Sequence, residues 1–158
     1  MNIFVLDRCP ERAARTQCDK HVVKMVLESA QMLCSALWRH EVEAPYKAAY
    51  TKHPCTVWCG DTRSNFCWLL VHAFALTDEY LVRYGKHHKS NEALLFARDN
   101  YLKIPDRDLT PFALAMPDQY KMLDPVESYR AYYLGEKMGF ATWKRNKPLW
   151  VEHNNFRT

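Results

Sequence analysis

The stretch TQCDKHVVKMVLESAQMLCSAL, residues 16–37, decides the fold class of this 158-residue chain. Its apolar side chains recur at helical spacing, which predicts a long helix from about Thr16 to about Arg39. Polar side chains recur at steps of three and four along one face of that helix, namely His21, Lys24, Glu28, Gln31 and Ser35. Burying a base, an ammonium and a carboxylate together is costly unless they pair or serve a site. We therefore predict that this face forms one wall of an active-site pocket.

The residue types on this face suit nucleophilic and acid–base chemistry. A lysine desolvated beside another base can act as a nucleophile or Schiff-base former, which points to Lys24, with Lys20 as the alternative. We expect His21 to shuttle protons near neutral pH, Glu28 to be its carboxylate partner, and Gln31 to contact the substrate. The structural alternative is a helical salt bridge between Lys24 and Glu28 beside a hydrogen-bonded core histidine.

Composition indicates one globular domain over residues 1–158. The chain is 48% hydrophobic and carries a formal net charge of +4, which is compatible with a nucleic-acid or phosphorylated ligand without requiring one. No apolar run is long enough to span a bilayer, and the opening MNIFVL is too short for a signal peptide. We expect a cytoplasmic protein with no membrane partner.

The six cysteines are expected to be reduced thiols, because no secretory signal accompanies them. A zinc site could be assembled from scattered residues, but no Cys-x-x-Cys knuckle is present and we predict neither a metal nor a cofactor. The residues weighed for zinc are Cys18, His21, His53, Cys55 and Cys59.

The chain as a whole predicts a mainly α, single-domain, helical bundle-like fold with about four main helices and a short N-terminal strand. The strand is expected at residues 3–6. After the first helix, further helices are expected over residues 63–84, stopped by Gly85, over residues 91–102, capped by Ser90, and from the Asp124–Pro125 start signal to about residue 138.

The second helix carries a matching polar stripe. Asn65 and His72 could bind the hydrogen-bonding edges of a ligand while Trp68 stacks on it. Arg63, at the start of that helix, is a candidate anion contact beside free backbone N–H groups. A half-buried face with a packed tryptophan is an equally good interpretation.

The fourth helix and the tail add aromatic and basic residues. Tyr129, Arg130 and Tyr133 cluster on the helix and would suit a phosphate or a base. Cations then alternate with aromatic residues in the tail, which is typical of a nucleic-acid surface and equally of a solvated basic tail. These tail residues are Trp143, Lys144, Arg145, Lys147 and Trp150.

The motif CDKHVVKM at residues 18–25, followed by Glu28 and Gln31, resembles a family of small proteins carried mostly by bacteriophages. Further matching pieces cover nearly the whole chain, including residues 53–58, 115–120 and 129–143. The resemblance implies an enzyme that acts on a DNA base or nucleotide in the host-cell cytoplasm, within a pathway such as thymine hypermodification. It carries over no catalytic residue.

The main hypothesis is an enzyme, a transferase, that modifies a pyrimidine base by group transfer, in DNA or as a nucleotide. One alternative is a non-catalytic module that binds a nucleotide or blocks a host-defence protein. Another is a DNA glycosylase/lyase that works through a lysine Schiff base. The expected partner is DNA or a nucleotide, and the sequence does not predict an oligomeric state.

Overall fold

Seven α-helices follow one another within residues 1–153, and two long antiparallel ones form the centre. The computed structural model describes residues 1–153. Asp19 at the start of the second helix contacts Arg83 near the end of the fourth at 3.0 Å, which shows the antiparallel arrangement. The helices are α1 (Pro10–Arg15), α2 (Asp19–Arg39), α3 (Pro54–Asp61), α4 (Arg63–Tyr84), α5 (Asn91–Asp99), α6 (Pro125–Tyr132) and α7 (Leu149–Glu152).

The mainly α class is confirmed, but the predicted N-terminal strand is wrong. Residues 3–6 are buried, yet no strand exists within residues 1–153 with which they could pair. Phe4 has a φ of 60°, a value that residues other than glycine rarely adopt. This kink directs the Phe4 ring toward α2 and away from any regular strand geometry.

The helix boundaries show which local sequence signals correctly predicted where a helix begins or ends. The second predicted helix matches α4, where the Thr62 side chain accepts the Asn65 N–H and Gly85 follows with a φ of 70°. Asp124 caps α6 by accepting the Val126 N–H, as predicted. Ser90 precedes α5 without a side-chain capping bond.

Two expectations about the first half of the chain are corrected. The first long helix begins at Asp19 because Thr16 instead ends the short helix α1. A helix that was not predicted, α3, follows His53, whose side chain accepts the Cys55 N–H, with Pro54 in the first turn.

A π-helical turn, Tyr133–Lys137, continues α6. Gly135 lies against the Tyr120 ring so closely that a Cβ at this position would collide with it. A side chain at residue 135 would therefore force the Tyr120 ring to move. Turns of this kind occur often at functional sites.

The buried Arg83 side chain joins α1, α2 and α4. It donates to the carboxylates of Asp19 and Glu79, each at 3.0 Å, and to the carbonyls of Arg15 and Gln17. Asp19 also accepts the Lys144 N–H at 3.0 Å, so the same network fixes the tail against the start of α2.

Within residues 1–153, no helix is both long enough and apolar enough to cross a membrane.

Candidate active site

A cavity of about 130 Å³ lies where the N-terminal segment passes α2. Its walls come from the N-terminus, from α2 and from the end of α6 with its π-helical turn. The residues around it are Met1, Asn2, Phe4, His21, Lys24, Met25, Glu28, Tyr132 and Lys137. The predicted face of α2 thus borders a cavity through three of its five polar residues.

Glu28 is the buried carboxylate of this cavity, and nitrogen atoms surround it. Its Oε2 accepts the Asn2 N–H at 3.1 Å and lies 3.5 Å from the α-amino group of Met1. Its Oε1 lies 3.4 Å from Nζ of Lys24. A carboxylate and two amines therefore meet at one point that a ligand can reach.

The Asn2 side chain fixes the N-terminus beside Glu28. Its Nδ2 donates to the Ala115 carbonyl at 2.7 Å, and its Oδ1 accepts the Ile3 N–H at 2.8 Å. The Tyr129 hydroxyl accepts the Ala115 N–H at 3.3 Å and so fixes the backbone segment to which Asn2 is bonded. Tyr129, a predicted ligand contact, is thus placed behind the cavity wall.

His21 is a buried, neutral wall of the cavity. Its ring stacks on Phe4 with 4.3 Å between centroids, and its Nδ1 lies 2.7 Å from the Tyr133 hydroxyl. Burial and, to a smaller extent, the charges of Lys137 and Lys24 together lower the pKa of His21 from 6.5 to about 3. At neutral pH the imidazole is therefore uncharged, and its acid–base role stays a prediction.

Lys24 and Lys20 differ from the expectation of a desolvated lysine. The Lys24 side chain is 66% exposed, and Lys20 is also exposed, with its Nζ 5.1 Å from the Phe140 ring centroid. Residues in an α-helix advance by about 100° each, so Lys24 lies about 60° from His21 whereas Glu28 lies only about 20° from it. Lys24 consequently reaches the rim of the cavity while Glu28 reaches the interior.

The remaining polar residues of the α2 face lie away from the cavity. Gln31 is half-buried and does not border it. Ser35 is buried and exchanges hydrogen bonds with the backbone of Ala49, at a separate hollow of about 400 Å³.

The polar stripe of α4 lies in the core. Asn65 Nδ2 donates to the Trp58 carbonyl, and Trp68 Nε1 donates to the Arg8 carbonyl. His72 lies between the Pro10 carbonyl and the Gln17 amide, and Arg63 donates to the carbonyls of Leu102 and Ile104. The structure does not bring Asn65, Trp68, His72 or Arg63 to the cavity.

The structure places the residues predicted on the fourth helix at different sites. Tyr133 supports the cavity through His21. Arg130 donates to the Leu6 carbonyl at 3.0 Å and lies beside a different, more open hollow that includes Trp150. Arg130 therefore does not share a site with Glu28.

Several residues around the cavity were missed by the sequence interpretation as site residues, notably Met1, Asn2, Phe4, Tyr132 and Lys137. A polar Asn2 directly before a buried apolar run was a usable signal, because a buried amide needs hydrogen-bond partners. Tyr132 belongs to the aromatic cluster predicted on the fourth helix, with Lys137 one turn on, but nothing in that pattern indicated that the two residues meet the start of the chain and α2 at this cavity.

Within residues 1–153, no three His, Cys, Asp or Glu side chains group in a way that could hold a metal ion. Of the residues weighed for zinc, Cys18 and His21 lie at the start of α2, whereas His53, Cys55 and Cys59 lie at or in α3. The chemistry available at Glu28 is that of a carboxylate with neighbouring amines.

Comparison with known families identifies the class of protein. The family model for pyrimidine dimer DNA glycosylases matches residues 1–92, and the chain belongs to this family. The matched region includes Met1, Asn2, His21, Lys24 and Glu28. No curated protein and no solved structure matches the chain.

Family membership places the chain among enzymes that act on pyrimidines in DNA. It supports the glycosylase/lyase alternative better than base modification by group transfer. The link to bacteriophages stays a prediction.

Proposed function

We propose that the protein is a DNA glycosylase that excises damaged pyrimidines, with pyrimidine dimers as the substrate class. The observation that carries the proposal is the convergence of two amines on the buried carboxylate of Glu28. Family membership supports the same reaction class.

The proposed chemistry uses an amine as the nucleophile and Glu28 as its partner. The neutral amine attacks C1′ of the target deoxyribose, and the glycosidic bond breaks, with its electron pair leaving on the base nitrogen. Glu28 accepts the proton that the amine loses, and this proton passes to the departing base. The C1′–O4′ bond then breaks as the nitrogen forms a double bond to C1′, and O4′ takes up the second proton of the amine. The imine on the opened sugar is the intermediate through which a lyase step can cut the strand.

The α-amino group of Met1 fits the nucleophile better than Lys24 does. The Met1 side chain is 2% exposed, whereas that of Lys24 is 66% exposed to solvent. A fixed position beside Glu28 favours attack by the α-amine.

The size of the cavity fits attack at a sugar carbon better than enclosure of a base pair or dimer. About 130 Å³ is well below the volume of roughly 300–1,000 Å³ that encloses a drug-sized ligand. One edge of the sugar enters the cavity in this proposal, and the remaining DNA lies against the surface around it.

The test is cleavage of a duplex that contains one cyclobutane pyrimidine dimer, with the undamaged duplex beside it. The wild-type protein should cut the damaged strand, and Glu28→Gln should lose at least 100-fold in single-turnover rate while still binding the duplex. Glu127→Gln, an exposed carboxylate beside the other hollow, is the matched control and should keep the wild-type rate. Binding of DNA by the wild type without any base release would instead support the non-catalytic module.

A further inference from the structure

Three lysine side chains are each held over an aromatic ring. Nζ of Lys137 lies 4.6 Å from the Tyr132 ring centroid, and Nζ of Lys20 lies 5.1 Å from that of Phe140. Nζ of Lys144 lies 5.4 Å from the Tyr84 ring centroid. An ammonium over a ring face is attracted by the ring's charge distribution, so each cation has a preferred location.

These ring-held lysines have no carboxylate counter-ion within ion-pair distance in residues 1–153. Other lysines differ, since Lys24 pairs with Glu28 and Lys121 pairs with Asp118 at 2.9 Å. A cation that is positioned but unpaired is available to an anion from outside the protein.

The three cations follow one another away from the cavity. Lys137 borders the cavity itself. Phe140, which holds Lys20, lies 5.6 Å from the His21 ring, and the Lys144 backbone is bonded to Asp19 at the start of α2. The ring-held lysines therefore form a path from Glu28 past the start of α2 to the end of α4.

The π-helical turn explains how Lys137 reaches this path. In an α-helix, the fifth residue after Tyr132 would be rotated by about 140° from it. The wider π-turn, with bonds to the fifth residue, reduces this rotation and allows Lys137 to lie over the Tyr132 ring. The Tyr120 ring packs against Gly135 within this turn.

We infer that Lys137, Lys20 and Lys144 bind successive phosphates of one DNA strand, and that Lys137 binds the phosphate closest to the target nucleotide. The inference rests on the proposed function, in which DNA is the substrate. Lysine binds phosphate as a point charge, and a DNA strand presents a row of negative charges to these positioned ammonium groups. Lys137 and Lys144 lie beyond residues 1–92, so the path adds contacts that the family match does not contain.

The test measures how salt changes the affinity for a duplex that carries one tetrahydrofuran abasic analogue, a probe that cannot react. Fluorescence anisotropy from about 50 to 200 mM salt gives the slope of log affinity against log salt. Each of Lys137→Gln, Lys20→Gln and Lys144→Gln should reduce the slope by about 0.9, the value for one lost phosphate contact. Lys121→Gln should leave it unchanged, and Lys137→Arg should restore it.

Glutamine keeps most of the lysine stem, so the fold should survive, and a melting curve of each variant checks this. If the three variants have the same salt slope as Lys121→Gln while the protein still binds and cuts damaged DNA, the three lysines do not bind successive phosphates. The proposed function would be unaffected by that result. A wild-type protein that binds no DNA would overturn both.

Discussion

The hydroxyl of Tyr133 lies 2.7 Å from Nδ1 of His21. The same hydroxyl accepts the backbone N–H of Cys18 at 3.0 Å, so its own proton is free to be donated to His21. This bond fixes a neutral imidazole against the Phe4 ring and thereby shapes the cavity wall on the same face of α2 as Glu28.

Replacing Tyr133 with Phe should destabilise the fold by about 1–3 kcal/mol, because the Cys18 N–H and His21 Nδ1 would both lose a buried partner. Urea denaturation at pH 7 measures the change. Tyr132→Phe is the control, since that hydroxyl makes no hydrogen bond to residues 1–153 and its loss should cost less than about 0.5 kcal/mol. Equal costs for the two variants would show that the Tyr133 bond does not contribute.

Stability should fall as the pH drops below about 6.5. Burial lowers the pKa of His21 to about 3 and that of His72 to about 4, both from 6.5. Between the folded and unfolded pKa values the unfolded chain binds more protons, so the free energy of unfolding rises with pH. The stability that the two histidines contribute is fully present above about pH 6.5 and is lost as the pH falls toward about 4 and then about 3.

The limiting slope is roughly 1.4 kcal/mol per pH unit for each of these histidines. Urea denaturation between about pH 5 and 7 should therefore show a smaller slope for His72→Asn and for His21→Asn than for the wild type. His87→Asn changes an exposed histidine and should keep the wild-type slope. Parallel curves for all four proteins would contradict the assignment of this pH dependence to buried histidines.

Arg83→Met should be among the most destabilising substitutions in the chain. It would leave the buried Asp19 carboxylate without a counter-ion and Glu79 with only the half-exposed Arg145, 3.2 Å away, which costs about 3–5 kcal/mol. Arg39→Met breaks an ion pair with Asp61 that is nearly half exposed, and about 0–1 kcal/mol is expected there. Urea denaturation of both variants measures the two changes in the free energy of unfolding. A loss of stability in Arg83→Met no larger than that in Arg39→Met would contradict the prediction.

Asn2→Ala should slow base excision without weakening DNA binding. The substitution removes the bond to the Ala115 carbonyl that holds the N-terminus beside Glu28, and misplacement of a reacting group by about 1 Å can cost on the order of 100-fold. Single-turnover cleavage and anisotropy separate the two effects. The control is Asn100→Ala, which removes a bond to the Phe96 carbonyl in α5 and should change neither the cleavage rate nor the affinity. If Asn2→Ala instead lowered the affinity for DNA and left the cleavage rate unchanged, Asn2 would not be a positioning residue.

The long central helices were predictable because their signals are local. The apolar period of α4 and the glycine after it define that helix within its own residues. The conformation of the N-terminal segment was not predictable, because an apolar run of a few residues does not indicate whether a neighbouring strand exists for it to pair with. Residues 3–6 instead bond to side chains such as Gln17 and Arg130.

The candidate site was predictable in part for the same reason. Helical spacing predicts that His21 and Glu28 share a face, and both border the cavity. The stripe on α4 has similar spacing, but its polar groups satisfy backbone carbonyls of remote segments, as Trp68 does for Arg8. Spacing alone does not distinguish a polar residue that faces a ligand from one that bonds to distant backbone.

The most direct test of the account is to identify the atom that attacks the sugar. The wild-type protein is incubated with dimer-containing duplex and sodium borohydride, which reduces the imine to a stable bond, and the adduct is located by digestion and mass spectrometry. We predict an adduct on the α-amino group of the peptide that begins at Met1, unchanged in yield in Lys24→Ala and nearly absent in Glu28→Gln. An adduct on Lys24, or none while the damaged strand is still cut, would contradict the pairing of the Met1 amine with Glu28.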